Sequence, residues 1–268
     1  MRINTNMNAM IATNQMSKNT ALAGNSMEKL STGLRITKAG DDAAGLAVSE
    51  KMRAQIRGME QADRNVQDGI SMVQTAEGAL EEAGNIAQRM RELGIQAGND
   101  TLDTKDRDKV KSELEELQKE MVQIGKETKF NGKQLLSAGS KFTIQAGANA
   151  ETREVSTIGL VGVAANLSKV DIADNTKSKA YVSKIDGALE SINNARANLG
   201  ATQNRLEYTS SNLTTSTENL SAAESRIRDV DVAKEMVKLS KLNILSQASQ
   251  AMVAQAKQQP ESVTQLLR

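Results

Sequence analysis

The chain has 268 residues, 38% of them hydrophobic, with 34 basic and 33 acidic side chains and a formal charge of +1. No global field therefore draws it to nucleic acid, and no basic stripe with interleaved aromatics marks a nucleic-acid surface. Cysteine and histidine are both absent, which removes disulfides, thiolate and imidazole chemistry and the commonest transition-metal ligands. No cofactor is implied. Trp is absent, and Phe130, Phe142, Tyr181 and Tyr208 are the only aromatics, beside a single proline, Pro260. Wide sheet interiors are poorly supplied by such a composition; helices packed through Ala, Leu, Ile, Val and Met fit it better.

At the N-terminus, Ile3, Met7 and Met10 are spaced four and three apart, and Met27, Leu30 and Leu34 repeat that spacing on an otherwise Asn-, Ser- and Thr-rich segment. A thin amphipathic helix is expected, with Gly33 as its stop and Asp41 or Asp42 as the cap of the next. From Met59 onward, Ala62, Val66, Gly69, Val73, Ala76, Leu80, Ala83, Ala87, Met90, Gly94 and Ala97 keep an unbroken 3,4 spacing. Glycine inside a helix costs about 1 kcal/mol, so glycines on this seam predict close approach by a neighbouring helix. In the stretch Gln88–Gln96 the seam takes Met90 and Gly94, leaving Arg89, Glu92 and Leu93 outside it, with Arg89 and Glu92 as an i,i+3 surface pair. A third helix, capped by Asp103 or Thr104, carries Val110, Leu114, Leu117, Met121 and Ile124.

The chain then changes character. Phe130-Asn131-Gly132 is a turn signal, and 142–145 and 155–158 alternate enough to suggest short strands. The next helix has the most regular seam of all: Ile185, Ile192, Leu199, Leu206, Leu213, Leu220 and Ile227 recur at every seventh position, with Ala188, Ala195, Thr202, Thr209, Ser216 and Ala223 between them. That is an a/d heptad. Its apolar side chains cannot alone offset the backbone entropy of about 43 ordered residues, so partner helices are required. Asp229 and Asp231 mark a break, after which Leu239, Leu242, Leu245, Met252 and Ala256 form another thin stripe, which Pro260 is expected to end or bend. Both terminal helices should be loose until they pair with each other or with neighbouring copies.

The fold expected is mainly α, a long antiparallel coiled-coil-like bundle built from the N- and C-terminal halves with a small β-containing insertion in the middle. Residues 1–40, with a spoke-like connector, would pair with 232–268; 41–136 and 179–231 would form the bundle; 137–178 would be a short variable insertion. No apolar run is long enough for a membrane span and no secretory h-region is present, so neither membrane insertion nor signal-peptide export is expected. Asp41 with Asp42, and Asp229 with Asp231, lack the spread of ligands a calcium loop needs and are expected as caps; no phosphate-cradling glycine motif occurs.

Several stretches resemble bacterial flagellin: RINTNMNAM, LSTGLRITKAGDDAAGLAVSEKMRAQIRG, QDGISMVQTAEGAL, FNGKQLL, QNRLEY, NLSAAESRIRDVDVAKEM and ILSQASQAMVAQA before the terminal LLR. The likeness covers nearly everything outside 137–178, and the shortness of that segment resembles the short flagellins of Gram-positive bacteria. It implies a structural, non-enzymatic subunit that polymerises with itself into the extracellular filament used for swimming. Export would run unfolded through the flagellar type III apparatus, with a chaperone engaging Asn243 to Leu267, and filament cap and hook-junction proteins as further partners. Ile3, Met7, Met10, Leu239, Leu242, Leu245, Met252, Leu266 and Leu267 would serve polymerisation. Arg89, Glu92, Leu93 and Glu113 match positions through which many flagellins contact the flagellin-sensing Toll-like receptor of animal hosts, although Gly94-Ile95 stands where that motif commonly has Ala-Val. Val263, Leu266 and Leu267 resemble the segment sensed by intracellular immune receptors. A hook-filament junction protein would share these ends and the bundle but would not polymerise without limit. A chemoreceptor-like signalling coiled coil would need a membrane span or a kinase-docking tip.

Overall fold

In the computed structural model, which describes residues 6–266 and the side chains of 6–258, the chain runs α1 (Met7–Thr32), α2 (Ala43–Ala97), α3 (Thr104–Glu127), β1 (Lys129–Phe130), β2 (Lys133–Gln134), β3 (Lys141–Gln145), β4 (Thr152–Ser156), α4 (Leu160–Asn166), α5 (Asn175–Arg228) and α6 (Val232–Leu266). The fold is mainly α, as expected, with two small antiparallel sheets. Two compact units divide the chain: Met1–Ala54 with Asn219–Arg268, and Gln55–Glu218. We call them the terminal unit and the central unit; α2 and α5 contribute residues to both. Among the described residues no helix is long and apolar enough to cross a membrane.

In the central unit every α2 seam position from Ala62 to Ala97 is buried, as are Ile185, Ile192, Leu199, Leu206 and Leu213 of α5. The two helices are antiparallel. Ser210 bonds to Asp63 at 2.5 Å, Arg196 lies 3.8 Å from Glu81, Gly84 stands beside Ile192 and Gly94 beside Val182. A Cβ on Gly94 would come within 2.9 Å of Val182 Cγ2, and one on Gly69 would overlap Ile144 Cδ1. These seam glycines are therefore set by the close approach of neighbours, which offsets their helix-propensity cost.

Leu93 departs from expectation. It is 2% exposed and belongs to the core, not outside it. A single-seam reading gives α2 one partner, but α2 has neighbours on two sides: Gly94 meets α5, while Arg89 reaches Glu113 of α3 at 3.1 Å. The buried stripe widens accordingly, taking Met72 beside Val73 and Leu93 beside Gly94. In α3, capped by Asp103, Val110, Leu114, Met121 and Gly125 are buried, while Leu117 and Ile124 are half-buried.

The middle segment is also more than a β insertion. Asn131 and Gly132, both at positive φ, close the β1–β2 turn, and β3 pairs with β4 from Lys141↔Ser156 to Gln145↔Thr152. It adds a helix, α4, which packs on α3 so closely that a Cβ on Gly125 would stand 3.0 Å from Val161 Cγ2, and Gln118 donates to the Ala164 carbonyl at 3.1 Å. Ile144, Val155, Leu160, Ala164, Leu167, Val170 and Ile172 are all buried, so residues 137–178 supply core to the central unit. Tyr181 lies among them, its hydroxyl donating to the Leu167 carbonyl at 3.3 Å, and burial pushes its pKa up to about 12.

Candidate assembly surface

The terminal unit is built on a hydrogen-bonded connector. Gly33, at φ 72°, ends α1, and the chain turns into a short antiparallel bridge between Leu34 and Asp229. The Arg35 amide donates to the Arg228 carbonyl at 2.6 Å, the Val230 amide to the Gly33 carbonyl at 3.0 Å, and the Arg35 guanidinium to the Ile227 carbonyl. Of the two expected caps, Asp42 caps α2 by accepting from the Gly45 amide at 2.9 Å, while Asp41 accepts from Thr37 and Lys38 and holds the turn before it. Ile36 is buried beside Gly45, where a Cβ would stand 2.8 Å from Ile36 Cδ1. Arg228 donates to Glu50 at 2.6 Å, and Asp231 caps α6 by accepting from the Lys234 amide at 3.2 Å.

These contacts predict an acid response. Asp41 is held below the usual carboxylate range first by the backbone amides of Thr37 and Lys38, Glu50 by the Arg228 guanidinium, and Asp231 by the Lys234 amide. A carboxylate whose folded pKa is depressed contributes stability that is present above its unfolded pKa and lost as pH falls through the folded one. The loss thus begins near the ordinary carboxylate value of about 4 and deepens below it. Hydrogen-exchange protection factors for the amides of 34–38 and 229–234 should fall between pH 5 and pH 3. Protection holding flat to pH 3 would contradict the assignment.

The helical pair α1–α6 reverses the usual arrangement. Facing inward on α1 are Ala9, Ala12, Met16, Asn19, Ala23, Ser26 and Leu30, spaced 3,4, with Asn19 and Ser26 buried; on α6 the matching set is Leu239, Leu242, Ser246, Ser249, Val253 and Ala256, with Leu242, Ser249 and Ala256 buried. Most of this seam is small or polar. Asn19 Nδ2 donates to Ser249 Oγ at 3.3 Å, and Ser249 Oγ to the Leu245 carbonyl at 2.7 Å. Many of the larger apolar side chains point away: Met7, Met10, Ile11, Leu22 and Met27 on α1, and Val232, Met236, Val237, Ile244, Leu245 and Met252 on α6, are exposed, Val237 by 72% and Ile244 by 63%. An apolar exterior of this extent marks an interaction surface.

The sequence-derived residues fall into three groups. Of the terminal set, Leu242 is buried, Leu239 half-buried, and Met7, Met10, Leu245 and Met252 are exposed. Small residues at most seam positions let the two helices approach closely, leaving room for only a few bulky ones such as Leu239 and Leu242. Ile3 and Leu267, with the side chains of Val263 and Leu266, lie outside the described residues. At its start α1 is capped by Asn6, which accepts from the Ala9 amide. α6 does not stop at Pro260; it continues to Leu266. Of the heptad set, burial is complete to Leu213, whereas Leu220 and Ile227, in the terminal unit, are half-buried. There α5 meets the start of α2, with Glu224 4.0 Å from Arg53 and Arg228 on Glu50. The third group is the exposed cluster in which Arg89 bridges Glu92 and Glu113, both at 3.1 Å.

The chain matches two family models: the bacterial flagellin N-terminal helical region over residues 3–141 and the bacterial flagellin C-terminal helical region over residues 182–267. It is 50% identical to a flagellin of Halalkalibacterium halodurans and 47% identical to a flagellin of Bacillus subtilis, in each case over the whole of both chains. A flagellar filament 33 kDa core protein of Treponema phagedenis is 44% identical, again over both full lengths. Among solved structures, the crystal structure of Bacillus cereus flagellin aligns with a TM-score of 0.52 and 32% identity, over 60% of this chain and 94% of that one. A putative flagellar hook-associated protein from Vibrio parahaemolyticus aligns with a TM-score of 0.60 at 12% identity, over 70% of this chain and all of that one, a likeness of fold alone. With both terminal helical regions matched and full-length identity of 50%, the chain belongs to the bacterial flagellin family.

Proposed function

We propose that the α1–α6 pair is the polymerisation element of a flagellar filament subunit. Family membership makes the chain a structural protein that self-assembles into the filament outside the cell. The observation that carries the role of the terminal unit is the reversed helical pair: with a small, polar seam inside and Val237, Ile244, Leu245 and Met252 outside, covering those side chains with further copies gains roughly 1.5–3 kcal/mol for each one fully buried. A subunit whose outer contacts are heterologous adds without closing, which is the geometry of a filament. Purified monomer seeded with filament fragments should elongate, seen by light scattering and electron microscopy, with new hydrogen-exchange protection confined to α1 and α6. A protein that stays monomeric on seeds, or gains protection only in the central unit, would overturn this reading.

Unfolded export through the type III apparatus with a chaperone on α6, and contacts with the filament cap and hook-junction proteins, complete the proposed life of the subunit. Recognition by a host Toll-like receptor is proposed through the exposed Arg89, Glu92 and Glu113, with the buried Leu93 supporting their helix from beneath rather than touching the receptor.

A further inference from the structure

The single proline of the chain lies inside α6. Proline has no backbone N–H, so residue 260 cannot donate to the carbonyl one turn earlier, that of Ala256. That carbonyl is not left open. Asn6, 250 residues away in sequence, donates to it from Nδ2 at 2.7 Å. The same carboxamide uses its Oδ1 to accept from the Ala9 amide at 3.1 Å and so caps α1. One side chain thus satisfies an orphan donor at the start of one helix and an orphan acceptor inside another.

The seam itself holds register through one side-chain contact, Asn19 on Ser249 at 3.3 Å, while most of its other positions are small and resist a slide weakly. An acceptor that exists at only one height discriminates further. We propose that Asn6 is a positioning residue for self-assembly and that Pro260 and Asn6 form a matched pair fixing the axial register of α1 on α6. The pair thereby fixes the register of the outward apolar residues that a second copy meets. This rests on the assembly reading above.

The test is a double-mutant cycle of Asn6→Ser and Pro260→Ala in the full-length chain. Serine keeps a capping oxygen but cannot donate to Ala256, and alanine at 260 supplies the missing N–H. Asn6→Ser alone should raise the critical concentration for seeded growth up to roughly tenfold, the loss of one part-buried hydrogen bond. In the Pro260→Ala background the same change should raise it less than about threefold. Hydrogen-exchange protection of α1 in the monomer should follow the same pattern, and circular dichroism checks that the helical fold is retained. Asn6→Ser behaving as the parent, or losing equally in both backgrounds, would overturn the pairing. A parent chain that does not elongate on seeds would instead sink the assembly reading, while the monomer exchange cycle still decides the pairing.

Discussion

Leu206→Asp is expected to abolish cooperative folding of the central unit. Leu206 is 1% exposed, and the antiparallel register set by Ser210 on Asp63 and Arg196 near Glu81 places it at the height of α2 around Val66 and Gly69, both buried. The substitution removes about 2–3 kcal/mol of leucine burial. It also puts into that seam a carboxylate with no cationic partner, which must protonate or draw in water at a further cost of several kcal/mol. The sum rivals the total stability of an ordinary domain, roughly 5–15 kcal/mol. Thermal and urea unfolding followed by circular dichroism should lose their sigmoidal transition. Leu206→Met, which nearly conserves volume, should cost less than about 1.5 kcal/mol and keep it. A cooperative melt retained in Leu206→Asp would mean that α5 can rotate its seam away from α2, and the heptad would not be what holds this unit.

That heptad was legible from spacing because α2 and α5 repeat one large-and-small pattern over many turns, and a long period leaves little ambiguity. Legibility failed where a helix had two partners or an unusual one. Leu93 falls outside a single 3,4 stripe, whereas α2 packs against α5 on one side and α3 on another and buries it. α4 gives no sequence signal because Leu160–Asn166 is seven residues long, too short for a helical period to show, and sits in a stretch rich in Gly, Ser and Thr. In the terminal pair the apolar spacing names residues that need a partner without saying which side of the pair they occupy. The inward face is marked instead by Asn19, Ser26, Ser246 and Ser249, and small and polar residues carry little weight in a hydrophobic count. Of the two outcomes expected at Pro260, an end or a bend, the end does not occur, since α6 runs on to Leu266; the donor that Asn6 sends to Ala256 from the other end of the chain has no signal in local sequence.

The reversed pair leads to the second large effect, Ile244→Asp, which should leave the monomer folded and stop growth of the filament. Ile244 is already 63% exposed, more so than its neighbour Leu245 at 40%, so an aspartate there meets water in the monomer and changes its stability by no more than about 0.5 kcal/mol beyond helix propensity. In the proposed polymer contact the same position is covered by another copy. Growth then loses about 2 kcal/mol of isoleucine burial and must desolvate an unpaired carboxylate for several kcal/mol more. A combined loss of more than about 4 kcal/mol raises the critical concentration roughly a thousandfold or more. Ile244→Asn, polar but uncharged, should fall between the two. The measurement is seeded elongation at graded protein concentration, with monomer melting as the control. Elongation at the parent's critical concentration would show that this face of α6 stays in water within the filament, and the apolar exterior of the terminal unit would then need an occupant other than a second copy.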